Sequence, residues 1–221
     1  MPDKDPELCA QAKSLYQSAK VLAGLNSTDP DRSPEDKKKD NEKVDKARKK
    51  VLDACPEKKV SLPGGVDIFI DPTVVEDSGL AEAIKILETL PPKELEGLKG
   101  IYVSGGSPDE YGDKLLAGDY DHHTSKIRLF PGGHDKRTIK HEIGHHVWNR
   151  LSDEAKERWT HFWELGGIGS RTASDGGAMP TPYATTNHRE GFAEVYEALR
   201  DKEPLDPRAK GKIEEVLNLL K

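Results

Sequence analysis

Three side chains near the middle of the chain, His141, Glu142 and His145, have the types and spacing of residues that bind and use a metal ion. In a helix over residues 138–150 (TIKHEIGHHVWNR), two histidines four apart project their rings from the same face. Two imidazoles so placed form half of a tetrahedral zinc site. Glu142 lies one step round the helix, where its carboxylate can reach a metal-bound water without ligating the metal. The spacing therefore predicts a Zn²⁺ site with a general base beside it.

A solvated surface helix that carries these residues by chance is the alternative. Ile143 and Val147 continue an apolar stripe beside the two histidines, and Gly144 would let another element approach closely. These neighbours favour a half-buried helix in an active site. His146 directly follows the second expected ligand, so it is expected to point elsewhere, as an ordinary surface or packing histidine.

A zinc ion in a catalytic site needs a third protein ligand and leaves its fourth position to water. The metzincin continuation requires a glycine three residues and a histidine six residues after His145. Trp148 and Leu151 stand there instead, which excludes that arrangement. Glu190 is the better candidate, because Asn187 can cap a second helix that presents this carboxylate to the two histidines.

The two motifs, HEIGH (141–145) and PYATTNHREGFAE (182–194), resemble those of gluzincin zinc metallopeptidases, in particular the catalytic domain of anthrax lethal factor and the Pro-Pro endopeptidases. The resemblance implies that His141, His145 and Glu190 bind Zn²⁺. It also implies that Glu142 is the general base and that Tyr183 stabilises the transition state. A weaker likeness runs from about residue 66 to residue 199, and the first 60 residues carry none of it.

The expected activity is that of a zinc-dependent endopeptidase on protein or peptide substrates. Glu142 would take a proton from the attacking water and deliver it to the leaving amine, and Tyr183 would donate a hydrogen bond to the carbonyl oxygen. Glu194 is expected to accept the Nδ1–H of a ligand histidine, with an ordinary surface carboxylate as the alternative. For the whole chain, the alternative is a catalytically silent binding or structural module that keeps zinc for its stability.

The elements expected before the metal motif predict an α+β fold. Residues 59–221 would form a zincin-like catalytic domain, with a small mixed sheet, the HExxH helix and a C-terminal helical subdomain. Such folds bind an extended substrate along an exposed edge strand, for which Tyr120, His122 and His123 are the candidate substrate-binding residues. The expected elements are strands at 66–70 and 101–104, a helix at 80–90, and a hairpin of 115–123 with 126–130.

The first 58 residues are expected to form an α-helical hairpin appended to this domain. The second helix would begin after Ser33, a capping residue followed by proline and two acids, and would end near Cys55. Docking of the peptidase onto a partner is a hypothesis for the hairpin's role. The stripe of the first helix comprises Leu8, Ala12, Leu15, Ala19 and Leu22.

Cys9 and Cys55 are the two cysteines of the chain and would fall near the open end of this hairpin. The two helices differ in length, which would leave the cysteines several ångströms out of step, whereas a bridge needs Cα atoms within roughly 7 Å. A disulfide and a pair of partly buried thiols therefore both remain open.

After the metal helix, Ser152 is expected to cap a further helix in which Trp159, Phe162 and Trp163 are packing residues. Residues 166–181 contain five glycines and are interpreted as either a disordered segment or a lid beside the cleft.

Composition limits the partners and the location. A net charge of −6 and a pI of about 5.8 argue against nucleic acid or an anionic membrane as a partner. No apolar run approaches the roughly 20 residues that span a bilayer, and residues 1–20 lack the apolar centre of a signal peptide. A cytoplasmic location is the default expectation, with export of a trimmed form as the alternative.

Overall fold

The computed structural model describes residues 5–62, 65–74, 78–106 and 116–220, and within these ranges the fold is α+β. The helices are α1 (Pro6–Ser27), α2 (Pro34–Ala54), α3 (Ser78–Leu87), α4 (Pro92–Leu95), α5 (Lys136–Arg150), α6 (Asp153–Glu164), α7 (His188–Asp201) and α8 (Pro207–Leu217). The strands are β1 (Lys58–Ser61), β2 (Asp67–Ile70), β3 (Gly100–Val103), β4 (Gly118–Asp121) and β5 (Lys126–Leu129).

The five strands form one mixed sheet in the order β1-β2-β3-β5-β4. The two central pairings, β2 with β3 and β3 with β5, are parallel. The two outer pairings, β1 with β2 and β4 with β5, are antiparallel. Strand β1 is not expected from the sequence, so the sheet begins at Lys58, next to the expected boundary between residues 58 and 59.

Helices cover one face of the sheet, on which the three inner strands β2, β3 and β5 place their buried residues. Helix α5 contacts β4 and β5 on that side, and α3 and α4 pack against α5. The sheet therefore supports the helix that carries the metal motif. The sheet residues buried on this face are Ile68, Ile70, Ile101, Val103, Ile127 and Leu129.

The predicted β-hairpin exists, but its first strand is shorter than expected. Strand β4 ends at Asp121, whose side chain accepts the backbone N–H of His123 at 2.9 Å. This bond closes a turn that contains both His122 and His123, and Ser125 follows with a φ of 54°. The expected start of the strand at residue 115 lies outside the described residues.

Helices α1 and α2 pack as the expected hairpin, but α1 turns a different side inward. Ala12 of the predicted stripe is buried, but its large leucines are exposed, and Tyr16, which lies outside the stripe, is buried in their place. Asp40 fixes the connection by accepting hydrogen bonds from Asn26 and Arg32, both at 2.8 Å.

A disulfide joins Cys9 to Cys55, with their Cα atoms 4.8 Å apart. The hairpin has its own small core, made by Ala12, Tyr16, Val51 and Cys55, which is separate from the main one. Polar contacts join it to the sheet, since Arg48 forms an ion pair with Asp71 at 2.7 Å.

The segment after α6 is folded, so the expectation of a disordered segment is wrong, and its role as a lid stays a prediction. Residues 165–181 fold on themselves through short 3₁₀ turns and a backbone bridge between Thr172 and Met179. Ala178 and Met179 are buried in the main core, which holds the loop in place. Trp159 and Phe162 of α6 pack in the same core, as predicted.

Within the described residues, no helix has the length and apolar character needed to cross a lipid bilayer.

Replacing Cys9 and Cys55 by serine should loosen the hairpin and leave the metal-motif helices unchanged. The bridge spans 46 residues of sequence, and constraining a loop of that length contributes about 4 kcal/mol in the chain-entropy model. Hydrogen exchange should therefore accelerate in α1 and α2 but not in α5 or α7. Equal protection of α1 with and without the bridge would contradict this prediction.

Candidate metal centre

Helix α5 carries the HExxH motif and is fixed at both ends. Asp135 caps its start, because its side chain accepts from the backbone N–H groups of Arg137 and Thr138 at 2.7 and 3.0 Å. Ile143 and Val147 are fully buried, as the apolar stripe predicted. His141 and His145 are only partly buried and point out of this packed side.

Helix α7 carries the expected third ligand and begins where the sequence predicted. The Asn187 side chain accepts from the backbone N–H groups of Arg189 and Glu190 at 2.9 and 3.1 Å, which caps the helix. Phe192, Val195 and Tyr196 bury the opposite side of the helix. Glu190 therefore sits in the first turn, facing α5.

Close contact between the two helices brings the three predicted ligands together. A Cβ added to Gly144 would lie 2.9 Å from the Cα of Ala193, so the absence of a side chain lets α7 approach α5. The Nε2 atoms of His141 and His145 are 3.1 Å apart. Oε2 of Glu190 lies 3.1 Å from the first and 3.2 Å from the second.

These three atoms fit the donor set of a zinc ion. Zinc bonds of about 2.0–2.1 Å at tetrahedral angles separate neighbouring donor atoms by about 3.3 Å. The observed separations of 3.1–3.2 Å are close to that value. Two imidazole nitrogens and one carboxylate oxygen are also the donor types that zinc prefers. His141, His145 and Glu190 would therefore hold the ion.

Glu194 lies behind the first ligand, one turn after Glu190. Its Oε1 is 3.1 Å from Nδ1 of His141, so the carboxylate can accept that proton and leave Nε2 to face the metal position. Its Oε2 accepts a 2.6 Å hydrogen bond from Thr181, whose hydroxyl accepts in turn from the backbone N–H of Ala184. Glu194 therefore orients a ligand ring and also anchors the segment that carries Tyr183.

The pKa shifts of the three donor residues show that positive charge is stabilised between them. Burial alone lowers the pKa of His141, but hydrogen bonds to Glu190 and Glu194 outweigh it and raise this pKa to about 10. Burial raises the pKa of Glu190, but its hydrogen bonds to His141 and His145 lower it by more. The pKa of this carboxyl is therefore well below its usual range. Protons and metal ions thus compete for the same atoms.

Glu142 is buried beside the metal position and lines the cleft. Burial raises the pKa of Glu142 to about 7, although the positive charges of His145 and His141 act to lower it. A carboxylate in this condition exchanges protons near neutral pH, which is the property required of a general base.

Tyr183 lies on the solvent side of the site. It is 55% exposed, and its ring centroid is 5.8 Å from that of His141. Burial of the hydroxyl and the negative charge of Glu190 raise its pKa to about 12, so the phenol keeps its proton. It is therefore a hydrogen-bond donor at neutral pH.

The three candidate substrate-binding residues are placed differently from one another. Tyr120 and His122 line the cleft, whereas His123 is not among its lining residues and stacks on His122 in the turn. The Tyr120 hydroxyl lies 3.2 Å from Nδ1 of His146, which is buried. Burial lowers the pKa of His146 to about 4, which makes it a neutral packing residue and not a surface one.

Sequence analysis missed Gly118, at the start of β4. A Cβ on this residue would lie 2.9 Å from Thr138 and 3.2 Å from Glu142, so only glycine lets the edge strand approach the metal helix this closely. A glycine that begins a strand is a signal for such an approach, but the sequence does not say which element approaches.

The cleft has a volume of about 890 Å³, and α6 forms its far wall. This role of α6 was also missed, because spacing within a helix does not reveal which other helix it faces. The α6 residues that line the cleft are Lys156, Glu157, Thr160, His161 and Glu164.

Comparison of the chain with protein-family models, with curated proteins and with solved structures finds no match. The likeness to gluzincin peptidases therefore stays a prediction from the two motifs.

Replacing Glu190 by alanine should remove most of the bound zinc, because it deletes one of three donors. We expect less than a tenth of the zinc content of the unchanged protein after dialysis at low free zinc, measured by atomic emission. Glu157→Ala is the matched control, since that carboxylate lines the same cleft away from the donors and should keep full zinc. Full occupancy in Glu190→Ala would point to a different third ligand.

Zinc binding should release at least about one proton at pH 7, because His141, with a pKa of about 10, must lose its proton to become a ligand. Affinity for zinc should consequently rise with pH. Titration calorimetry in buffers of different ionisation enthalpy measures the number of protons released. A binding enthalpy that does not depend on the buffer would contradict the coupling.

Proposed function

We propose that residues 59–221 form a zincin-like zinc endopeptidase. The observation that carries this proposal is the convergence of His141, His145 and Glu190 at 3.1–3.2 Å beside an open cleft that contains a buried carboxylate. Bound Zn²⁺ would supply Lewis acidity, which polarises a peptide carbonyl and makes a water molecule more acidic.

Glu142 is the proposed acid–base residue. With a pKa of about 7, it takes a proton from the attacking water and returns it to the leaving amine. Its burial keeps bulk water from competing for the carboxylate. It adjoins the donor residues in the chain but is not one of the three donors.

Tyr183 is the proposed donor to the carbonyl oxygen, where negative charge develops during attack. Its raised pKa keeps the hydroxyl protonated, and its exposure on the open side of His141 lets it meet a substrate. A single donor of this kind typically contributes about 10²–10³ in rate.

Within the described part of the chain, β4 is an outer strand of the sheet, and its outward edge is the proposed place for an extended substrate. The backbone N–H of Phe130 donates to Ala117, and hydrogen-bonded pairs alternate along an antiparallel ladder. The backbone groups of Gly118 and Tyr120 therefore point away from β5, towards the open edge. A peptide that pairs with these groups as an added strand would pass beside Glu142.

A zinc-stabilised module without activity is the alternative, and the openness of the site speaks against it. Structural zinc sites are closed by four protein ligands. Among the described residues, the set around this position offers three ligands, and the neighbouring Glu142 and Tyr183 line a cleft of about 890 Å³. A stabilising site has no need of these two groups.

Replacing Glu142 by glutamine should abolish cleavage and leave zinc binding intact. Loss of general-base catalysis lowers the rate by about 10²–10⁴. Cleavage of a peptide library, read by mass spectrometry with and without a chelator, measures the loss. Glu157→Gln is the matched control and should cleave at the normal rate.

Unchanged cleavage by Glu142→Gln would remove Glu142 from the mechanism. The absence of any chelator-sensitive cleavage by the unchanged protein, together with full zinc content, would favour the silent module.

A further inference from the structure

His146 is a buried polar residue of the metal helix that takes no part in the proposed reaction. It directly follows a candidate donor and is 1% exposed. Both of its ring nitrogens have partners away from the metal position. Nε2 lies 3.0 Å from the carbonyl oxygen of Glu96, just after α4, and Nδ1 lies 3.2 Å from the Tyr120 hydroxyl on β4. The ring is therefore fixed between the end of α4 and the edge strand.

The partners of this ring determine the direction of each hydrogen bond. A carbonyl oxygen only accepts, so Nε2 of the neutral ring carries the proton and Nδ1 is the acceptor. The Tyr120 hydroxyl therefore donates to Nδ1, and its oxygen accepts from Nδ2 of Asn149 at 3.4 Å. Although Tyr120 lines the cleft, the proton of its hydroxyl points at α5 and not at the space for a substrate.

Strand β4 contacts the metal helix at two places, and Tyr120 is one of them. The other is Gly118, which lies against Thr138 and Glu142. From Gly118 to Tyr120 the strand advances by about 6.7 Å, and from Glu142 to His146 the helix advances by about 6 Å. Because these lengths match, β4 runs beside α5 in the same direction, with its substrate-pairing edge along the helix.

The two contacts differ in what they contribute. Gly118 permits a close approach, but it has no side chain that could bond to α5. Tyr120 supplies a directional bond to His146, and the two rings also meet edge to face with centroids 5.4 Å apart. Within the described part of the chain, β4 pairs with β5 alone. The contact at Tyr120 therefore holds the outer strand against the helix.

We propose that His146 is a positioning residue, which acts through Tyr120 to keep the substrate-pairing groups of β4 at a fixed distance from Glu142. This inference rests on the proposed endopeptidase function and on pairing of the substrate with β4. A misplacement of about 1 Å can lower the rate of a reaction by about 10²-fold. A ring that never touches the substrate can thus affect cleavage by fixing the strand that binds it.

Peptides of two lengths around one scissile bond separate this role from a general structural one. A peptide of about eight residues pairs with both Gly118 and Tyr120, whereas one of about three residues reaches only Gly118. The quantity to measure is the ratio of kcat/KM for the long peptide to kcat/KM for the short one. Tyr120→Phe removes the hydroxyl and keeps the ring, and it should lower this ratio by about three- to tenfold, as expected for one hydrogen bond.

Variants of His146 test whether Tyr120 acts through that ring. His146→Leu should lower the ratio about as far as Tyr120→Phe does, and the double variant should be no lower, because both changes break the same link. His146→Gln keeps an amide that can accept from Tyr120 and donate to Glu96, so it should restore part of the ratio. If the Tyr120 hydroxyl bound the substrate directly, His146→Leu would leave the ratio unchanged, which would overturn the proposal.

Tyr102→Phe is the matched control and should keep the normal ratio. Tyr102 lies on the neighbouring part of the sheet, where it stacks on Phe69 on the face opposite the helices. Zinc content and thermal unfolding verify that each variant is folded and loaded. If the variants of buried His146 fail to fold, the half-buried Tyr120→Phe decides the question.

A normal ratio in Tyr120→Phe would overturn the positioning role and leave the endopeptidase function standing. Chelator-sensitive cleavage of neither peptide by the unchanged protein would instead show that the proposed function is wrong, and the positioning role with it.

Discussion

The contact between α5 and α7 at Gly144 and Ala193 is the constraint on which the metal site depends. Donor atoms must converge within a few tenths of an ångström, and a side chain at Gly144 would meet the Ala193 backbone at 2.9 Å. The helices run antiparallel, so a later residue of α5 faces an earlier residue of α7. His141 therefore meets Glu194, and His145 meets Glu190. One close approach positions both the ligand and the carboxylate behind it.

Two charged pairs near the start of α5 and the end of α7 help to hold the two helices in register. Lys140 of α5 forms an ion pair with Asp201 of α7, and both side chains are largely buried. Arg137 donates to Glu197 at 2.6 Å near the same end. Breaking such a pair leaves an uncompensated buried charge, so sliding of one helix along the other is costly. A fixed register keeps Glu190 and Glu194 of α7 opposite the two histidines of α5.

The convergence of the three candidate donors could be predicted from sequence because they lie on two helices with strong local signals. HExxH spacing places two rings on one side of a helix, and Asn187 marks where the second helix begins. The sheet was harder to predict from the sequence, because β1 is exposed along most of its length and lacks an apolar run. Two further features depend on packing between segments that are distant in sequence, which the periodicity of apolar residues does not encode. They are the closeness of Gly118 to Glu142 and the cleft wall on α6. The turn at His122 and His123 depends on the Asp121 side chain, which accepts hydrogen bonds from the backbone N–H groups of His123 and Thr124 and from the Thr124 hydroxyl.

Helix α1 illustrates how periodicity identifies apolar residues without identifying the side that is buried. Two sets of apolar residues share this helix, and the predicted stripe mixed them by combining Leu8 and Leu15 with Ala12. A pair of helices can bury only one side of each, and in α1 the buried side carries Ala12 and Tyr16. The hairpin then has a core of four residues and depends strongly on the Cys9–Cys55 bridge. The large leucines of α1 lie outside this core and are exposed.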